Sequence, residues 1–209
     1  MKKILALVLA LTMVAAMAAC TPATNNDATN STTEATTEAT TGTTENNAPV
    51  LGGDSALELL TNIWTAFPEE GKFPVMGGDA ENPNWEGPGS VTLPGAEGNA
   101  LWNLNIPDDQ LPNIAEAATM IHAMNTNTFA SCALKLVDGA DEAAVAKAIA
   151  DGILGTNWMC GFPERMIIVS VSDYLVVAFG HEMNVTNLVN AINTVDANAQ
   201  VLHNEAIGE

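Results

Sequence analysis

Positive charge is scarce in this chain. Six lysines and arginines stand against twenty-five aspartates and glutamates in 209 residues, a formal net charge of −19. A surface of that sign repels phosphate backbones and anionic headgroups, which excludes direct DNA or RNA binding and leaves cations or basic partners as what it would attract. Histidine is sparse too. His122, His181 and His203 show no paired spacing, and His181-Glu182 opens like an HExxH zinc motif but meets Val185 where the second histidine is needed. The chain has no G-x-S-x-G elbow, no P-loop and no G-x-G-x-x-G between a strand and a helix. Adjacent acids such as Asp108-Asp109 and Glu69-Glu70 read as solvated turns. These absences lead to the expectation of a non-catalytic protein without a cofactor.

Only three cysteines occur, Cys20, Cys132 and Cys160. If Cys132 and Cys160 pair in an oxidising compartment, closing that loop would stabilise the fold by roughly 3–4 kcal/mol. Alternatively, Cys132 alternates with core residues and acts as a small buried hydrophobe. Cys160 has no histidine near it in sequence and is the one place where an unfamiliar catalytic site would fall.

What is present begins with a leader. Lys2 and Lys3 precede an apolar run from Ile4 to Ala19, the pattern of a signal peptide over residues 1–19, too short to read as a spanning helix. Cys20 follows Ala18-Ala19 directly. Small residues before a cysteine resemble the lipobox of bacterial lipoproteins, with Met17 where leucine is commonest. The resemblance implies that Cys20 becomes a diacylglyceryl-modified first residue, an extracytoplasmic membrane anchor. Each buried methylene of such chains contributes about 0.8 kcal/mol. An ordinary secretory cleavage at the same point is the alternative. Residues 20–49 are Thr-, Asn- and Glu-rich, with the low-complexity run TTEATTEAT. They hold too little apolar surface to offset ordering entropy, so they read as a disordered tether.

Residues 50–209 remain as a single α+β domain with four basic residues against twenty-one acidic ones, a net −17. Its central stretch alternates from Phe129 to Val137, breaks at Asp138-Gly139, and continues with Val145, Ala148, Ile149, Gly152 and Ile153 at helical spacing. Met166–Ser172 and Tyr174–Phe179 then alternate around a break too short for a crossover, which predicts an antiparallel hairpin. A helix bearing Val185, Leu188, Val189 and Ile192 follows, then a short strand near Ala199–His203. The order βαββαβ predicts a ferredoxin-like, split-βαβ antiparallel sheet with helices on one face. Additional N-terminal helices precede it. Ser55-x-x-Glu58 fits a capping box before Leu57, Leu60, Ile63, Trp64 and Phe67. Leu111–Met124 is predicted as a second helix with Ile114, Ala117, Ala118 and Ile121 inward and His122 flanking that face.

Between these helices, residues 68–99 are rich in Gly, Pro and Asn. A long irregular segment in a compact domain is functional or mobile. Asp79, Glu81, Asn82, Asn84 and Glu86 crowd oxygen ligands as a calcium loop would, although Pro83 departs from the EF-hand pattern. Trp85, with Trp102, is the candidate ligand contact of a groove in the segment 77–98.

The runs WNLNIPDDQLPNIAEA, TFASCALKLVDGADEAAVAKAI and ERMIIVSVSDYLVVAFG, behind a lipobox and a polar tether, resemble a family of lipoproteins of unknown function from Gram-positive gut bacteria. The resemblance covers residues 54 to 195 and implies an α+β lipoprotein domain, with no activity or functional residue to carry over. The expectation is therefore a lipid-anchored binding or interaction protein at the bacterial cell surface, with an envelope protein as partner. The alternative is a small-molecule or cation-binding lipoprotein that uses residues 77–98.

Overall fold

The computed structural model describes residues 53–93 and 100–208, which belong to one compact unit. The leader, Cys20 and the tether lie outside the described residues. Three helices form where apolar residues recur at helical spacing: α1 (Ala56–Ala66), α2 (Glu142–Leu154) and α3 (Glu182–Val195). Ser55 caps α1 by accepting from the Glu58 amide at 3.1 Å, and Asp141 caps α2 by accepting from the Ala144 amide at 3.1 Å. Glu58 reaches back to the Asp54 amide at 2.9 Å, one residue before the N-cap.

Seven strands make one antiparallel sheet. They are β1 (Val75–Met76), β2 (Gly89–Val91), β3 (Ile114–His122), β4 (Phe129–Leu136), β5 (Arg165–Val171), β6 (Tyr174–Gly180) and β7 (Gln200–Ala206). The order across the sheet is β1-β3-β4-β6-β5-β7, with β2 also paired to β3. The β5–β6 hairpin turns at Ser172-Asp173 as expected, with Val171 opposite Tyr174 and Ser172 at a positive φ of 52°. The last strand is longer than expected and carries an irregularity opposite Ile168–Val169.

The helices lie on both faces of the sheet, not on one. One core joins α1 and α3 to Ala118, Met120, Ala133, Ile167, Val169 and Val176; the other joins α2 to Ala117, Cys132, Leu134, Ile168, Leu175 and Val177. The topology gives the reason. From β4 through α2 to β5, and from β6 through α3 to β7, the chain moves the same way across the sheet, each time over one strand. The two pairs of strands run in opposite directions. Right-handed crossovers that step the same way from oppositely directed strands must pass on opposite faces. In a ferredoxin-like sheet the final strand returns beside the first. Here that edge of β4 is already occupied by β3, and β7 lies beside β5.

Residues 114–122 are a strand and not the helix expected from their spacing. Ala118 and Met120 face one core while Ala117 and Ile121 face the other. A strand covered on both faces loses its alternation, and an alanine-rich strand then imitates a helix. Pairing with β4 along Glu116–Ile121 overrides the helical propensity of IAEAATMIH.

Candidate functional site

The segment richest in sequence candidates is built around β1 and β2. Both pair with β3, and residues 77–88 loop between them. The loop is pinned by a two-way backbone bridge, from the Gly77 amide to the Asn84 carbonyl at 2.8 Å and from the Asn84 amide to the Gly77 carbonyl at 2.9 Å. Gly77 packs so closely that a Cβ there would lie 2.1 Å from the Thr119 carbonyl and 2.4 Å from the Gly89 nitrogen. The buried Thr119 hydroxyl accepts from the Gly78 amide at 2.9 Å and donates to the Gly78 carbonyl at 3.2 Å.

Asp79 organises the same loop. Its Oδ1 accepts from the amides of Glu81 (2.9 Å) and Asn82 (2.8 Å), and its Oδ2 accepts from the Thr92 amide at 2.5 Å. These donors, the Thr92 amide first, hold its carboxyl below the usual carboxylate range. Asn84 is similarly engaged: Oδ1 accepts from the Glu86 amide at 3.1 Å and Nδ2 donates to the Pro88 carbonyl at 2.8 Å. Asn82 Nδ2 donates to Thr92 Oγ1 at 3.0 Å. Asp79, Glu81, Asn84 and Glu86 are thus neighbours along the loop without forming a cage. The oxygens of Asp79 and Asn84 are occupied by N–H donors, Glu81 and Glu86 are exposed, and among the described residues no three acidic, histidine or cysteine side chains converge on a cation position.

Beside this loop is a groove of about 270 Å³ on the face of the sheet that carries α2. Thr119 and Ile121 of β3 line it together with Gly78, Asp79 and Trp85 of the loop and Asn103. Trp85 stands at the rim, 70% exposed. Trp64 and Trp158, by contrast, pack against Phe67 (4.9 Å between ring centroids) and Phe179 (5.0 Å). Trp102 belongs to a 3-10 stretch at Ala100–Leu104, and its side chain lies outside the described residues.

The remaining sequence candidates are dispersed. Cys132 is a buried free thiol in β4, raised well above its ordinary pKa by burial; Cys160 is a free thiol exposed in the loop before β5. The structure therefore contains no bond between them. His122 stacks on Phe73 (5.0 Å, 17° between planes), and its Nδ1 accepts from the Met124 amide at 3.1 Å and the Asn125 amide at 3.3 Å. It orders a turn at the end of a strand. His181 lies 3.3 Å from Glu164, and His203 lies 3.0 Å from Glu205.

Sequence reasoning missed a second feature, at the end of the sheet where three loops meet. The Thr128 carbonyl accepts from the His181 amide (2.9 Å) and from Asn184 Nδ2 (3.2 Å). The Glu164 amide donates to the Gly180 carbonyl at 2.9 Å, the Glu182 amide donates to Glu164 Oε2 at 2.8 Å, and Asn127 donates to the Cys160 carbonyl. These loops carry Met124, Met159 and Phe162, and the first turn of α3 carries Met183; together they are half of the exposed large hydrophobic side chains among the described residues. Glu164 and Glu182 border them, and Arg165 is held by Glu182 at 2.8 Å. No periodicity marks such residues, because their exposure depends on where separate loops come to rest.

The fold is an α+β arrangement with a seven-stranded antiparallel sheet. No protein-family model matches the chain, and no curated protein or solved structure is significantly similar to it. Among the described residues no helix is long and apolar enough to cross a membrane.

Proposed function

We propose that this chain is a lipid-anchored extracytoplasmic protein with a non-catalytic interaction role, whose partner is an envelope protein bearing an apolar patch rimmed by basic residues. The leader, the small residues before Cys20 and the polar stretch 20–49 support the anchor and its spacer. The observation that carries the interaction reading is the gathering of Met124, Met159 and Phe162 on neighbouring loops and Met183 on the first turn of α3, segments joined by hydrogen bonds. Exposed apolar side chains grouped in this way mark interaction surfaces, and methionine adapts readily to an irregular partner. Glu164, Glu182 and the net −17 of residues 50–209 select a partner with a basic rim and disfavour an anionic lipid surface.

The test is in-cell crosslinking of the tagged full-length chain, followed by mass spectrometry. A stoichiometric envelope protein is expected with the wild type. It should be lost in a Phe162→Asp/Met183→Asp double variant whose urea midpoint is unchanged. Recovery of background alone from the wild type, or of the same partner from both chains, refutes the apolar end as a docking surface.

A further inference from the structure

We infer that the groove beneath Trp85 binds a neutral, polyhydroxylated ring, one or two units of a saccharide. This site is independent of the apolar end, because the two are built by different loops. Four observations carry the inference. First, Trp85 is exposed on a loop whose backbone is pinned beside it: Asn84 is bridged to Gly77 in both directions and tied to Pro88 and Glu86. A loop backbone that is already fixed lowers the ordering cost of presenting the ring to a ligand. Second, Asp79 is the only ionised group in the lining, and both its oxygens already accept amide protons. An anion finds no basic side chain there, and a metal ion would have to displace those donors. Third, the groove is lined by an indole, Trp85, and by a side-chain amide, Asn103, which both donates and accepts. The negative face of an indole attracts the C–H hydrogens on the apolar face of a sugar ring, while the amide suits its hydroxyl edge. Fourth, about 270 Å³ falls just below the span typical of drug-sized pockets, which suits one or two rings.

Calorimetric titration of the full-length protein with glucose, galactose, N-acetylglucosamine, cellobiose and chitobiose tests the inference. A parallel arm measures co-sedimentation with insoluble cellulose and peptidoglycan. At least one soluble sugar or one polymer is expected to bind. Trp85→Ala should weaken binding by roughly tenfold or more with an unchanged melting temperature, and Asn103→Ala should weaken it less. Stronger binding to the polymer identifies a glycan chain as the source, and stronger binding to the short sugars identifies free saccharide. No binding in either arm overturns the proposal, as does undiminished binding by Trp85→Ala. A response to tetramethylammonium or calcium in place of sugars also overturns it.

Discussion

Asp79 shows how one side chain can serve structure where its composition suggested metal binding. Its lowered pKa has a consequence for acid stability. The folded value lies below the unfolded one, so the stabilisation is fully present above the ordinary carboxylate range and is lost as pH falls through the folded value. Asp79→Asn should therefore lower the urea midpoint at about pH 7, and the gap from wild type should narrow as pH falls below the ordinary carboxylate range. A pH-independent gap would show that the clamp does not depend on charge. Ser131 makes the opposite case. Its hydroxyl is fully buried in β4 with no hydrogen-bond partner. Ser131→Ala removes an unsatisfied polar group, and a gain of about 1 kcal/mol in a urea titration is expected. The thiols of Cys132 and Cys160 should separate kinetically: iodoacetamide should label Cys160 in the folded chain and reach Cys132 only after denaturant is added. Protection of both until a reductant is added would reveal a disulfide. The calcium-like run was visible in the sequence, but the direction of its oxygens was not, because backbone amides far along the chain, such as that of Thr92, decide it.

Among the elements, the amino end of α1 depends on a residue distant in sequence. Glu116 of β3 accepts from the Ala56 amide at 2.9 Å, adding to the local cap made by Ser55. Glu116→Ala leaves that amide without its partner and should cost about 1 kcal/mol, read from urea unfolding. An unchanged midpoint would mean that water replaces the carboxylate without penalty. The local half of this cap was legible as Ser55-x-x-Glu58; the long-range half was not. The same division holds for the secondary structure. All three helices, the β5–β6 hairpin and β4 could be read from period and turn signals. The strand β3 could not, since burial on both sides hides its period behind alanines at positions 117 and 118. The loops bearing Met159 and Phe162 carried no readable signal, because being apolar and exposed is a tertiary property.

For the whole molecule, charge governs. A net −19 with few ion pairs among the described residues leaves mutual repulsion among surface carboxylates that folding concentrates. Raising sodium chloride from about 0.01 M to about 0.5 M shortens the screening length several-fold and should raise the urea midpoint. A midpoint that falls with salt would show that the ion pairs at Lys147–Asp151 and Arg165–Glu182 outweigh the repulsion. Helices on both faces also explain why the order βαββαβ could be read from the sequence while the layering could not. The layering depends on which edge β7 takes, and β3 already holds the other.

The packing of α1 against α3 constrains how the chain can be made. Translation delivers α1 early, β3 and β4 midway and α3 close to the end, so the first helix waits through most of synthesis for the last of the neighbours that cover its apolar stripe. Leu59, Leu60 and Ile63 remain open to other contacts throughout that interval. A nascent chain of this design carries one short helix only partly covered until the carboxyl-terminal third arrives, after which the sheet and both cores can close together.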